Sequence, residues 1–281
     1  MILMTAATGK TGHHVIRALR ERGETVRALA RSDKLDALEG DGVETVRADL
    51  LDVSAIEAAM EGVRAVVHVG PTFDPREITM GQNVVDAAKR AGLERVVYFS
   101  VYHPQLEFLL NHQAKSRVED YLVTSGVPYT ILQPMHYLQA IDPVQVAKDG
   151  ALRLPYSMTT PLSFVDIADV AEVAAKVLAE DGHLYASYPL CGSDLLSGEQ
   201  VAEIVGKEAK KDIASEQIAL PDFIEMVSGG HPLPHHVLDG LYRLFTYYGL
   251  HGITGNPNVL RSLLGREPTT MAEYVRRELA A

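Results

Sequence analysis

Compact apolar runs and helical stripes alternate through the first two-thirds of the chain. Ala65-Val66-Val67-His68-Val69 and Arg95-Val96-Val97-Tyr98-Phe99 have the near-continuous apolar character of strands buried on both faces. Val43-Glu44-Thr45-Val46 alternates instead, a few residues before Asp49. The pattern predicts strands over 2–6, 25–30, 43–48, 65–70, 95–100 and 128–133. Between them apolar residues recur at helical spacing, predicting helices over 12–22, 33–39, 53–61, 77–91 and 113–125. Strand–helix alternation of this kind gives an α/β fold with a doubly wound parallel sheet and right-handed crossovers. The rhythm breaks after Pro134. Residues 135–162 read as irregular, 163–178 as a loop feeding a helix, 184–190 as one more strand, and the rest as mainly helical. The expected division is residues 1–134, with 163–190 returning to them, against a small C-terminal substrate or lid region of 135–162 and 191–281.

The first strand runs into Ala6-Ala7-Thr8-Gly9-Lys10-Thr11-Gly12, and Val15, Ile16 and Leu19 then open a helix. Strand, small-residue turn and helix are the opening of a Rossmann-type dinucleotide-binding unit. Small residues let the backbone approach a pyrophosphate, and the helix N-terminus meets the anion. Ala6 stands where a first glycine is expected, and alanine fits there with a negative φ. The second strand ends in Arg31-Ser32, where NAD-binding proteins carry an acid for the ribose 2′-hydroxyl. A guanidinium at that point either is solvated or clamps a 2′-phosphate, with Lys34 adding charge. The expected cofactor is therefore NADP(H) rather than NAD(H). Ligands of such sheets lie outside the carboxyl strand ends. Those ends carry Gly9, Arg31, Asp49, Gly70-Pro71-Thr72, Ser100-Val101-Tyr102 and Gln133-Pro134-Met135.

The formal net charge of −11, with no basic run, disfavours a nucleic-acid partner. No apolar stretch reaches the roughly 18 residues of a membrane span. A lone cysteine, Cys191, excludes an intrachain disulfide and suits a reducing cytoplasm. His231, His235 and His236 are interrupted by Pro232 and Pro234 and lack an acidic or Cys partner at ligand spacing, so no metal site is expected.

Several ordered motifs carry a resemblance. They are the TAATGKTG turn, Asp49-Leu50-Leu51-Asp52, Lys115 with Glu119, the segment Ser125 to Pro134, Asp166-Ile167-Ala168-Asp169-Val170-Ala171, and Leu264-Gly265-Arg266-Glu267-Pro268. Together they resemble the NmrA-like branch of the atypical short-chain dehydrogenases/reductases, over nearly the full length. The resemblance implies a Rossmann domain with a small C-terminal domain. It implies a family of NADPH-dependent quinone, triphenylmethane and isoflavone-type reductases and of silent redox sensors. By position, Thr8, Gly9, Lys10, Thr11 and Gly12 would face the pyrophosphate, Arg31 the 2′-phosphate, and Asp49 and Leu50 the adenine. Gly70 would join the cofactor contacts, Lys115 would reach the nicotinamide ribose and Pro134 would border the nicotinamide. The chain departs from the pattern at Ala6, at Gln133 where arginine is common, and at Asn111, where the Tyr of Tyr-x-x-x-Lys would stand.

The expectation is an NADPH-dependent reductase of a small apolar quinone, enone or carbonyl compound, working as a monomer or homodimer. The alternative is a non-catalytic NADP(H) sensor. Candidate catalytic groups are Lys115, His112, one turn before it, and Tyr102 past a strand end. The plainer reading of His112 is a helix-start residue bonding a neighbouring backbone group. Phe73, Tyr102, His103, Met135, His136 and Tyr137 are the candidate substrate pocket, with inter-domain packing the plain reading of the last three.

Overall fold

The computed structural model describes all 281 residues. The elements in chain order begin with β1 (Ile2–Met4), α1 (Lys10–Glu21), β2 (Val26–Ala30), β3 (Val43–Arg47) and α2 (Val53–Ala59). There follow β4 (Ala65–Val69), α3 (Glu77–Ala91), β5 (Arg95–Phe99), α4 (Leu110–Ser125) and β6 (Tyr129–Pro134). Next come β7 (His136–Tyr137), α5 (Pro143–Asp149), β8 (Ala151–Leu154), β9 (Leu162–Val165), α6 (Ile167–Ala179) and β10 (Ala186–Leu190). The chain finishes with β11 (Leu195–Leu196), α7 (Gly198–Ala209), β12 (Ala214–Gln217), α8 (Leu220–Ser228), α9 (His235–His251), α10 (Asn258–Leu264) and α11 (Met271–Ala280). No helix is long and apolar enough to cross a membrane.

Two compact units result. The first comprises residues 1–107, 111–134 and 167–189. Its sheet has the order β10-β6-β5-β4-β1-β2-β3, and the pairings from β6 through β3 are all parallel. The strand order reverses beside β1, the topological switch point of a doubly wound sheet. One face buries Leu3, Leu29, Val66, Val96, Tyr98 and Ile131 against Met80 and Val84 of α3 and Val118 and Leu122 of α4. On the other face α1 packs against α6. Gly81 on α3 sets the α3–α4 spacing, because a Cβ there would lie 2.7 Å from Val118 Cγ2.

The second unit comprises residues 108–110, 135–166 and 190–281. Segment 135–162 is not irregular: it holds β7, α5 and β8. Asp142 caps α5 through the Gln145 N–H at 2.9 Å, Pro143 opens it, and Gly150 closes it in the left-handed conformation. Residues 163–166 also fall here, because β9 pairs antiparallel with β11 and parallel with β7. The helical C-terminal part contains two short strands besides, β11 and β12, the latter parallel to β8. Capping boxes at Ser197–Gln200 and Thr270–Glu273 start α7 and α11.

Candidate functional site

The carboxyl ends of the first unit's strands carry the candidate dinucleotide site. Gly9 is the N-cap of α1 and provides no side-chain cap, and the first turn holds no acid. Its N–H groups and positive dipole end are thus free of a competing carboxylate, which suits a phosphate. The turn is tightened by a bond from the Gly9 N–H to the Ala6 carbonyl at 3.0 Å. Closing it places Ala6 at φ +49°, so the expected negative φ is corrected. Gly12 serves a different end from Gly9. A Cβ on Gly12 would lie 2.5 Å from the Ala7 carbonyl oxygen and 2.6 Å from that of Ala6, so only glycine lets α1 close on its own turn. Lys10 and Thr11 sit on the first turn of α1 and Thr8 on the loop before it.

A cleft of about 460 Å³ opens beside this turn. Its lining includes Ala6, Thr8, Arg31, Ser32, Asp49, Leu50 and Met80. Its size and its mixed apolar and charged lining fit the adenosine half of a dinucleotide. Ser32 lines it and Lys34 does not: Lys34 lies exposed in a 3₁₀ turn whose N–H donates to Ser32 Oγ at 3.2 Å. Nothing in the sequence pattern marked Ser32 above its neighbour. Arg31 reaches Asp49 at 3.4 Å, and the second Asp49 oxygen accepts from the Leu51 N–H at 3.0 Å.

Farther along the same edge stands Lys115, 7 % exposed, on α4. Its ammonium donates to Glu77 Oε1 at 2.7 Å. Burial raises the Glu77 carboxyl above its usual range, and the lysine beside it pulls it only part of the way back. Gly70, expected among the cofactor contacts, lies against this carboxylate: a Cβ at 70 would come 2.8 Å from Glu77 Oε1. Glu77 itself was not among the sequence candidates. Its spacing to Gly81, one turn on, was the available signal. Gln133, in place of the common arginine, donates to both oxygens of Glu119 at 2.9 and 3.2 Å.

His112 is buried, and its Nδ1–H donates to the His103 carbonyl at 2.9 Å. Burial holds its pKa down at about 4, so the ring is neutral near pH 7 with Nε2 as a bare acceptor. It reaches an acid form only after taking up a proton. Tyr102 is buried, its N–H bonded to the Pro134 carbonyl at 2.9 Å and its ring edge-on to His103. Three of the five non-glycine residues with positive φ follow strand ends here: Ala6, Phe73 (+62°) and His103 (+56°). Backbone strain thus concentrates where a ligand would lie. In the second unit, Met135 is buried, Tyr137 is half-buried, and the His136 ring lies 5.4 Å from both Phe164, tilted, and Tyr248, edge-on. Burial lowers the His136 pKa to about 4.

An anion-receiving turn, a nucleoside-sized cleft and a buried cation along one parallel sheet edge define a dinucleotide-binding protein. The sequence profile of the NmrA-like family matches residues 1–275, and the chain belongs to that family. The chain is 26 % identical to quinone oxidoreductase 2 of Escherichia coli over 279 residues, covering 98 % of this chain and 97 % of that protein. The crystal structure of that NADPH-dependent enzyme complexed with NADPH aligns over 99 % of this chain and 100 % of its own, with a TM-score of 0.84. The NAD(P)H azoreductase of Xenophilus azovorans is 27 % identical over 289 residues, 100 % of this chain and 99 % of that protein. The negative transcriptional regulator NmrA shares the fold at a TM-score of 0.79 and 21 % identity, over 99 % of this chain and 97 % of that chain.

Proposed function

We propose that this oxidoreductase reduces small, flat, apolar quinone, enone or carbonyl compounds with NADPH. The observation that carries the reading is the buried, charged Lys115 on the same sheet edge as the α1 turn and Arg31. Full-length similarity to a quinone oxidoreductase and an azoreductase supports it. The residues present suit the cofactor. The N-terminal N–H groups of α1 would receive the pyrophosphate, Arg31 the 2′-phosphate, and Asp49 and Leu50 the adenine. Lys115 would hold the nicotinamide ribose, with Pro134 beside the ring. Bound NADPH supplies the hydride. The protein's part is to orient the acceptor and to stabilise negative charge growing on its oxygen, which the Lys115 ammonium does at short range. Phe73, Tyr102 and His103 would give the acceptor an aromatic wall.

The competing reading, a nucleotide-binding sensor, draws on Asn111 in place of the usual tyrosine. Following NADPH absorbance against a panel of quinones, enones and aryl carbonyls separates the two. Oxidation of NADPH that depends on acceptor supports the reductase. Tight NADPH binding with no acceptor consumed across the panel gives the sensor.

A further inference from the structure

Glu77 occupies a place where carboxylates are rare. It is 1 % exposed, in the first turn of α3, and only one of its oxygens is engaged. Oε2 has no partner, and neither has Nε2 of His68 on β4 or the hydroxyl of Tyr98 on β5. Two glycines make room for it. Gly81 brings α3 against Val118 of α4, one turn beyond Lys115, and Gly70 leaves the space the carboxylate fills. A buried ammonium without a counter-charge gives up its proton near neutral pH, because burial penalises the charged form.

We infer that Glu77 is a positioning residue that keeps Lys115 protonated and in place at the sheet edge. This rests on the reading of Lys115 as the nicotinamide-side cation. The other titratable groups facing the pair do not replace Glu77. His68, with its pKa held down at about 3 by burial, and His112, at about 4, are neutral. Burial keeps the Tyr98 phenol protonated. Asp74, in the loop before α3, is engaged by Arg76 at 2.8 and 2.9 Å. Glu119 on α4 bonds Gln133, and burial raises its pKa. The carboxylate in hydrogen-bond contact with Lys115 is that of Glu77.

The test uses the full-length protein carrying Glu77→Gln, Glu77→Asp, Lys115→Met, or Glu77→Gln with Lys115→Met. In Glu77→Gln the folded-state lysine pKa falls below its unfolded value. The unfolded chain then binds more protons between the two values, so thermal stability rises with pH across that interval. Wild type and the neutral double variant lack this rise. The kcat of Glu77→Gln stays near wild type at the acid end and falls away with increasing pH. The ratio of wild-type to variant kcat widens about 10-fold between about pH 6 and about pH 9. The KM for NADPH moves less, and Glu77→Asp restores most of the wild-type profile. If Glu77→Gln fails to fold, folding of the neutral double variant supports the inference, and its equal failure overturns it. Glu77→Gln melting and kcat profiles that both parallel wild type also overturn it. Wild-type kcat in Lys115→Met, beside a pH-dependent stability in Glu77→Gln, removes Lys115 from the cofactor site and leaves the pairing standing.

Discussion

Arg31 and Asp49, at the ends of adjacent parallel strands, lie 3.4 Å apart in the lining of the cleft beside the α1 turn. Arg31 is exposed and Asp49 half-buried, so the pair contributes little stability and the guanidinium is available to a stronger anion. A 2′-phosphate offers that anion, in a geometry an arginine fork can grip with two bonds. NADPH is therefore expected to bind more tightly than NADH. Arg31→Ala should remove the preference, costing about 1.5–3 kcal/mol of NADPH affinity. Asp49→Asn keeps an acceptor for the Leu51 N–H and removes a negative charge beside the phosphate. It should raise the NADPH-to-NADH ratio a few-fold. Calorimetric titration of both nucleotides into the three proteins checks this, and equal wild-type affinities would count against it.

The two glycines of the turn should fail in different ways. Gly12→Ala drives a Cβ into two carbonyl oxygens at 2.5 and 2.6 Å, and backbone cannot step aside cheaply. A lowered melting temperature is expected with or without nucleotide. A Cβ on Gly9 meets one oxygen at 3.3 Å, so Gly9→Ala should keep a near-native melt. Gly9→Val should lose NADPH binding by obstructing the anion's approach to the α1 N–H groups. Thermal melts paired with NADPH titrations separate the cases.

Lys115→Met keeps the stem and removes the charge. Turnover should fall by about 10²-fold or more, the scale of one lost preorganised electrostatic donor. NADPH affinity should fall far less, since the pyrophosphate and Arg31 contacts remain. His112→Ala should lower stability more than kcat, because the His112 ring proton is held by the His103 carbonyl. Steady-state kinetics and melts on the same samples decide it; a comparable 10²-fold loss in His112→Ala would restore the imidazole as proton donor.

Acid should begin to destabilise the fold through its buried histidines. Buried His68 and His112 have folded-state pKa values of about 3 and about 4, against 6.5 for the free group. Between those values the unfolded chain binds the additional protons, so stability is lost as pH falls from about 6.5. Melting temperature against pH should turn downward there. His112→Asn should flatten part of the slope, whereas a wild-type curve level down to about pH 4.5 would refute the assignment.

The sheet was readable because its central strands are short, nearly all-apolar runs, and β4 and β5 lie within one residue of the pattern. Segment 135–162 was not, because its strands are two to four residues long, too short for a period to register. Asp142-Pro143 and Gly150 nevertheless marked α5 in plain letters. Arg31, Asp49 and the turn could be put at the carboxyl strand ends, where the cleft lies, from the strand pattern. Ser32 and Glu77 were not picked out, since each is defined by what another strand or helix brings beside it. Ala6 misled for a related reason: a turn closed by its own carbonyl overrode the residue's ordinary backbone preference.

The space Gly70 leaves for Glu77 also sets a rule for how this branch of the family can vary. A side chain at position 70 would press on the acid at position 77, whose end oxygen lies 2.8 Å from where a Cβ would stand, so the two positions are expected to change together through evolution. Relatives with a bulkier residue at 70 should have lost the acid at 77 and should hold their cation by other means, or carry none. An alignment in which the two positions drift independently would mean that the backbone yields more easily at this edge than its packing suggests.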